Sequence, residues 1–163
     1  MNFIVQFCQW LESTALATAI REQESLFPWI ESVHVLAITL VVGTILIVDL
    51  RLLGLGSQQR PASKVLAEVL PFTRAAFVLA AITGVTLFSS HAVKYAGNFP
   101  FQMKMVLLVF ALINILVFHT LGTRNIERWD TAARTPPAAR VAGGVSLLCW
   151  MVVVGAGRWI GFT

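Results

Sequence analysis

The chemistry this sequence can offer rests on three histidines, His34, His91 and His119, each placed within or at the end of a long apolar run. Ionisable side chains in a hydrocarbon core are costly, so each is a functional suspect by position alone. His34 and His91 stand on consecutive runs near the same predicted end. Two imidazoles at one depth on antiparallel helices are what an axially ligated haem requires, with the flat macrocycle buried between the helices. Haem b is therefore the expected cofactor, with His34 and His91 on the iron and Lys104, Arg158 and Lys94 as candidate partners of its propionates. The plainer reading makes both histidines interfacial side chains wetted by headgroup water. A mononuclear metal competes: Glu31 precedes His34 by three residues, which sets the two on one helix face, and Glu31, His34 and His91 make an alternative ligand set. A di-metal site needs a second Glu-x-x-His, which the chain lacks. No second histidine is expected at the depth of His119, so a second bis-histidine site within the chain is not expected.

The elements that must position these residues follow from composition. Of 163 residues, 57% are hydrophobic and 12% charged, and the mean hydropathy is +0.78. A soluble domain carries about 25% charge, so disorder, a collagen-like fibre and an average soluble enzyme are excluded, and the expected solvent is a lipid bilayer. The net charge of +4 then concerns membrane orientation and gives no reason to invoke nucleic acid. Four stretches reach the roughly 20 apolar residues that a spanning helix needs: about 27–53, 72–90 after Pro71, 101–121 after Pro100, and 142–162. Before them, Phe3, Ile4, Phe7, Cys8, Leu11 and Ala15 recur at helical spacing opposite Asn2, Gln6, Gln9, Glu12 and Ser13, which predicts an amphipathic interfacial helix over about 2–21. A signal peptide wants a basic start, and the first basic residue is Arg21. The expected fold is an all-α integral membrane four-helix bundle, one domain over 1–163.

Basic residues set the expected orientation. Arg51, Arg60, Lys64, Arg74, Arg124, Arg128, Arg134 and Arg140 fall on one side, against Arg21, Lys94, Lys104 and Arg158 on the other. Lys and Arg mark the cytoplasmic side, so both termini should be periplasmic in a bacterial inner membrane. Asp49 is expected to pair with an arginine, Arg51 or Arg74, or Arg51 to snorkel to the headgroups. Asn114 is expected to bond across helices, and Ala142, Ser146, Gly157 and Gly161 to permit close packing or a homo-oligomer. Gly54-Leu55-Gly56-Ser57 reads as a helix-ending turn. Trp29 and Trp159 suit an aromatic belt. Cys8 and Cys149 make no disulfide framework. No phosphate loop, Cys-x-x-Cys or Gly-x-Ser-x-Gly is present.

The segments Trp29-IESVHVLAITLVVGTILIVDLRLLG and Phe101-QMKMVLLVFALINILVFH, together with Gly157-Arg158, resemble an uncharacterised family of small four-span bacterial inner-membrane proteins. The chain is more distantly similar to HemJ-type protoporphyrinogen oxidase and to CopD-type haem-associated membrane proteins. Those place a His near the start of span one, Arg-Leu near its end and a Lys at the start of span three; here these are His34, Arg51-Leu52 and Lys104. The resemblance implies haem b near His34. Val41-Val42-Gly43 stands where those proteins have a tryptophan-rich centre, so the architecture and the ligand are carried over and the oxidase activity is not. The expected function is membrane electron transfer or haem sensing, with a quinone or a periplasmic redox protein as partner. The alternatives are a cofactor-free transport-accessory or partner-binding subunit, and a periplasm-facing metal site.

Overall fold

A computed structural model of the chain describes residues 3–55, 60–122, 126–130 and 135–162. Asn2, Gly56, Ser57, Arg124 and Arg134 lie outside these described residues. Among the described residues every regular element is helical. Four helices have the length and apolar character to cross a bilayer: α3 (Leu26–Leu53), α4 (Ala62–Ser90), α6 (Phe99–Val117) with the turn that extends it to Thr120, and α8 (Pro137–Trp159), which runs on to Phe162. α1 (Phe3–Glu12), α2 (Ala15–Glu22), α5 (Ala92–Gly97) and α7 (Ile126–Trp129) are short. The outward faces are as apolar as the core: Leu36 is 66% exposed, Leu116 63% and Leu148 64%. Such surface has no place in water, and the chain is a multi-pass membrane protein.

α3 packs along α4 and α8, and α6 packs along α8. α4 and α6 form no such long contact, and the ring of spans is open between them. The centre is filled by Val41, Ile45, Ala76, Ala111, Trp150 and Val153. Small residues bring α8 against α3. A Cβ added at Gly143 would stand 3.0 Å from Leu52 Cβ and 3.1 Å from the Asp49 carbonyl oxygen. As expected, Asn114 Nδ2 donates across helices to the Ala142 carbonyl at 3.0 Å.

Three helix boundaries differ from expectation, one of them the start of α8, which lies at Pro137 rather than near 142. α4 begins at Ala62 and passes through Pro71, which costs one backbone bond. Its first turns are retained because Ala62, Val65 and Leu66 are buried. Ala62 belongs to a cluster with Leu52, Trp129 and Ala139. The N-terminal segment is two helices, broken at Ser13-Thr14, where the Thr14 hydroxyl caps α2 by accepting from the Ala17 amide. Cys8, Ala17 and Ile20 face the bundle, while Phe3, Ile4, Phe7 and Trp10 remain exposed, the two faces an interfacial segment needs. Arg21 ties this segment down, donating to the Ser90 carbonyl at 3.0 Å and the Glu12 carbonyl at 2.8 Å.

At the other end Arg51 neither pairs with Asp49 nor snorkels. It is buried and donates to the Arg60 carbonyl (3.1 Å), the Asp130 carbonyl (3.1 Å) and Thr135 Oγ1 (3.4 Å). The Asp130 carboxylate accepts from the Ser63 amide (2.7 Å) and the Ser63 hydroxyl, capping the first turn of α4. Gly54 ends α3 in the left-handed region at φ 82°, with the Leu55 amide donating back to the Leu50 carbonyl.

Candidate functional site

His34 leaves α3 toward α4. Its Nδ1 stands 2.9 Å from Thr83 Oγ1, and the Thr83 hydroxyl is 2.8 Å from the Leu79 carbonyl one turn back. That carbonyl can only accept, so it takes the hydroxyl proton and Thr83 Oγ1 accepts from His34 Nδ1–H. Nε2 is left with its lone pair, the tautomer a metal ligand needs. The ring is seated against Gly84, where a Cβ would lie 3.0 Å from Cε1. Any side chain larger than hydrogen would displace it.

Lys104 enters from α6 and acts electrostatically on His34. Its ammonium passes over Gly157 of α8, where a Cβ would meet Nζ at 3.6 Å. Lys104 is partly buried and has no carboxylate partner among the described residues. Each of the four spans thus contributes to one neighbourhood: an imidazole from α3, its holder and its seat from α4, a cation from α6 that acts on the imidazole, and a gap from α8.

His91 is not part of this cluster. It ends α4, exposed, with Nδ1 3.0 Å from Ser90 Oγ and its ring edge-on to Phe27 (6.4 Å) and Tyr95 (6.2 Å). Thr83 is level with His34, and His91 follows it by eight residues, about 12 Å along the helix. The expected equal depth was measured from the ends of the apolar runs. In the folded bundle it is Phe27, two turns before His34, that meets His91. Glu31 is exposed and acts on Tyr95, whose phenol is raised above its ordinary range by burial and then by the Glu31 charge. Among the described residues no three His, Cys, Asp or Glu side chains converge to hold a metal, so Glu31, His34 and His91 are not assembled as a ligand set. Arg158 is exposed at this end with its guanidinium 5.2 Å from the Phe162 ring centre. The neighbouring Gly157, not Arg158, faces Lys104.

Thr83 and Gly84 escaped the sequence reading, and Gly157 was read there only as a close-packing residue. A hydroxyl and two glycines in apolar runs announce no chemistry by type, and only their spacing to His34 and Lys104 across helices gives them a role. A second feature was also missed. Where α4 and α6 part, a cavity of about 590 Å³ is lined by Asp49, Thr73, Arg74, His119, Ser146 and Trp150, among apolar side chains.

No curated protein and no solved structure matches the chain, and the distant similarity to HemJ-type and CopD-type proteins finds no counterpart in these comparisons. One family profile does match, over residues 7–163. With nearly the whole sequence covered, this four-span chain belongs to the family of unknown function DUF6644.

Proposed function

We propose that the His34–Lys104 cluster binds haem b through His34 Nε2, and that the protein is a b-type haem protein of the bacterial inner membrane serving electron transfer or haem-linked redox at the periplasmic face. The observation that carries this reading is the pairing of an imidazole held at Nδ1 by Thr83 with a cation that no carboxylate neutralises among the described residues. The two groups complement a metal with anionic side chains, because Nε2 supplies a ligand lone pair and Lys104 a counter-charge for a propionate. Haem supplies a one-electron carrier when bound. Thr83 fixes the tautomer and the ring angle, as partners of metal-bound histidines do. Gly84 leaves room for the ring and Gly157 for the lysine stem. Lys94 and Arg158, at the same end, are further cations for a second propionate. His91 fits no opposing ligand position, since it lies about two turns away and the His34 ring already touches α4. The eight-to-four split of basic residues supports the periplasmic placement.

Lys104, without a carboxylate partner among the described residues, also favours a second reading, a cofactor-free subunit whose cluster receives an anionic group of a partner. The visible spectrum of detergent-purified protein supplied with haem separates the two. A Soret band is expected, lost in His34→Ala, weakened in Lys104→Met and retained in His91→Ala. Wild-type protein without a Soret band refutes the haem reading.

A further inference from the structure

Two buried polar atoms among the described residues lack any hydrogen-bond partner, Asp49 Oδ2 and Trp150 Nε1. Both residues line the cavity between α4 and α6. Asp49 is 3% exposed and Trp150 5%, so bulk solvent does not serve them. Leaving either unpaired in an apolar interior is costly, and native structures rarely do so without a reason. The Ser146 side chain on α8 is within hydrogen-bonding reach of the Asp49 carboxyl, and Oδ2 is the oxygen left without a partner among the described residues. Among the described residues nothing answers the indole N–H.

The wall of the cavity tells what kind of molecule reaches these atoms. Val78 on α4 and Leu112 and Leu116 on α6 line it and are exposed on the lipid-facing surface, so the opening is lateral, toward acyl chains. A ligand that enters there brings an apolar tail. Its head must be neutral, since a charge would have to cross hydrocarbon. It must also donate to a carboxylate oxygen and accept from an N–H. A hydroxyl does both with one oxygen. A hydroquinone carries such a hydroxyl on a flat ring that suits a slot between helices, and its isoprenoid tail suits the lateral opening. The volume of about 590 Å³ falls within the usual range of small-molecule sites.

We propose that this cavity is a binding site for a membrane quinol, whose hydroxyl donates to Asp49 Oδ2 and accepts from Trp150 Nε1–H while its tail leaves between α4 and α6 into the bilayer. Arg74 and His119 stand in the same lining, within the cavity that receives the ring. The site lies at the opposite half of the bundle from His34 and does not depend on haem.

The test is binding of a radiolabelled decyl-tailed quinol, kept reduced, to the full chain in lipid nanodiscs. Saturable binding is expected, weakened about tenfold in Asp49→Leu and in Trp150→Phe, the loss of one hydrogen bond each. Val78→Trp, which fills the opening from the lipid side and leaves both polar atoms in place, is expected to abolish binding. It keeps the test decisive if a core variant fails to fold. The proposal is overturned if wild type shows no saturable binding, as it would if water or acyl chains alone fill the cavity. It is equally overturned if decylbenzene or a long-chain alcohol binds as tightly as the quinol, or if all three variants keep wild-type affinity. Because the readout is ligand retention, a failed haem spectrum leaves this result unaffected, and the reverse holds too.

Discussion

Gly84→Ala is the most informative perturbation of the His34 cluster. The added methyl would stand 3.0 Å from His34 Cε1, whereas carbon atoms rest at about 3.5–4.0 Å. The helix backbone of α4 cannot recoil without disturbing its packing on α3, so the imidazole must give by a few tenths of an ångström. Metal–ligand distances tolerate only about 0.2 Å, and the Nδ1 bond to Thr83 is broken or bent by the same shift. Disturbing the partner that orients a ligating histidine costs about 10–100-fold in affinity, and that is the loss expected in a haem titration followed at the Soret band. Stability should move the other way. Alanine is favoured over glycine inside a helix by about 1 kcal/mol, so the apo protein should melt no earlier than wild type. Thr83→Val, which removes the hydrogen bond without crowding the ring, should reproduce the affinity loss. Gly84→Ala protein that binds haem as tightly as wild type would refute the proposed geometry of His34.

Other elements of the bundle give further tests. Gly143→Ala should lower the melting temperature, because the contact is with the backbone of α3: overpacking costs about 1–3 kcal/mol against a propensity gain of about 1 kcal/mol. Gly155→Ala, with nothing within 4 Å, should raise it and serves as the control. Arg51→Lys should destabilise by about 2–4 kcal/mol in denaturant titration, since one ammonium cannot replace a fork that reaches three acceptors on separate segments. Burial is the largest single influence on the Asp130 carboxyl and pushes it up, but the Ser63 hydroxyl and amide, the Ala62 amide and the Arg51 charge together outweigh it and hold the group below its ordinary value of 3.8. The folded state therefore binds this proton less readily than the unfolded state. Its contribution is complete above the ordinary carboxylate range and is lost as pH falls through the depressed value, an acid limb that Asp130→Asn should flatten in pH-dependent melting. Arg21→Ala should free α1 and α2 from the end of α4, seen as faster amide exchange over Phe3–Glu22 with the spans unchanged.

Much of the fold was legible because its causes are local. Length and hydropathy suffice for a spanning helix, and the apolar run of α3 places both its ends to within a residue. Asn114 announced its interhelical bond because an amide in hydrocarbon must find a partner. Pro71 misled for the opposite reason. It looks like a boundary locally, yet Ala62, Val65 and Leu66 are held by contacts with residues distant in the chain. Asp49 and Arg51 misled likewise: two residues apart they suggest a pair, but they point to different faces of α3, one into the cavity and the other to the loops.

The types and order of residues by themselves determined that this chain carries four helices long and apolar enough to cross a bilayer, and they pointed to His34 and His91 as the ionisable pair, with Lys104 among the cations beside them. Only the tertiary structure decided which of those groups meet. Depth along a helix can be counted from the sequence at 1.5 Å per residue, but the facing direction and the offset between two helices cannot. They are set by small residues such as Gly84, Gly143 and Gly157, whose part is to be absent where another helix must approach. That offset removed His91 from His34, brought in Thr83 and Lys104, and left Asp49 and Trp150 facing a cavity with two hydrogen bonds unmade.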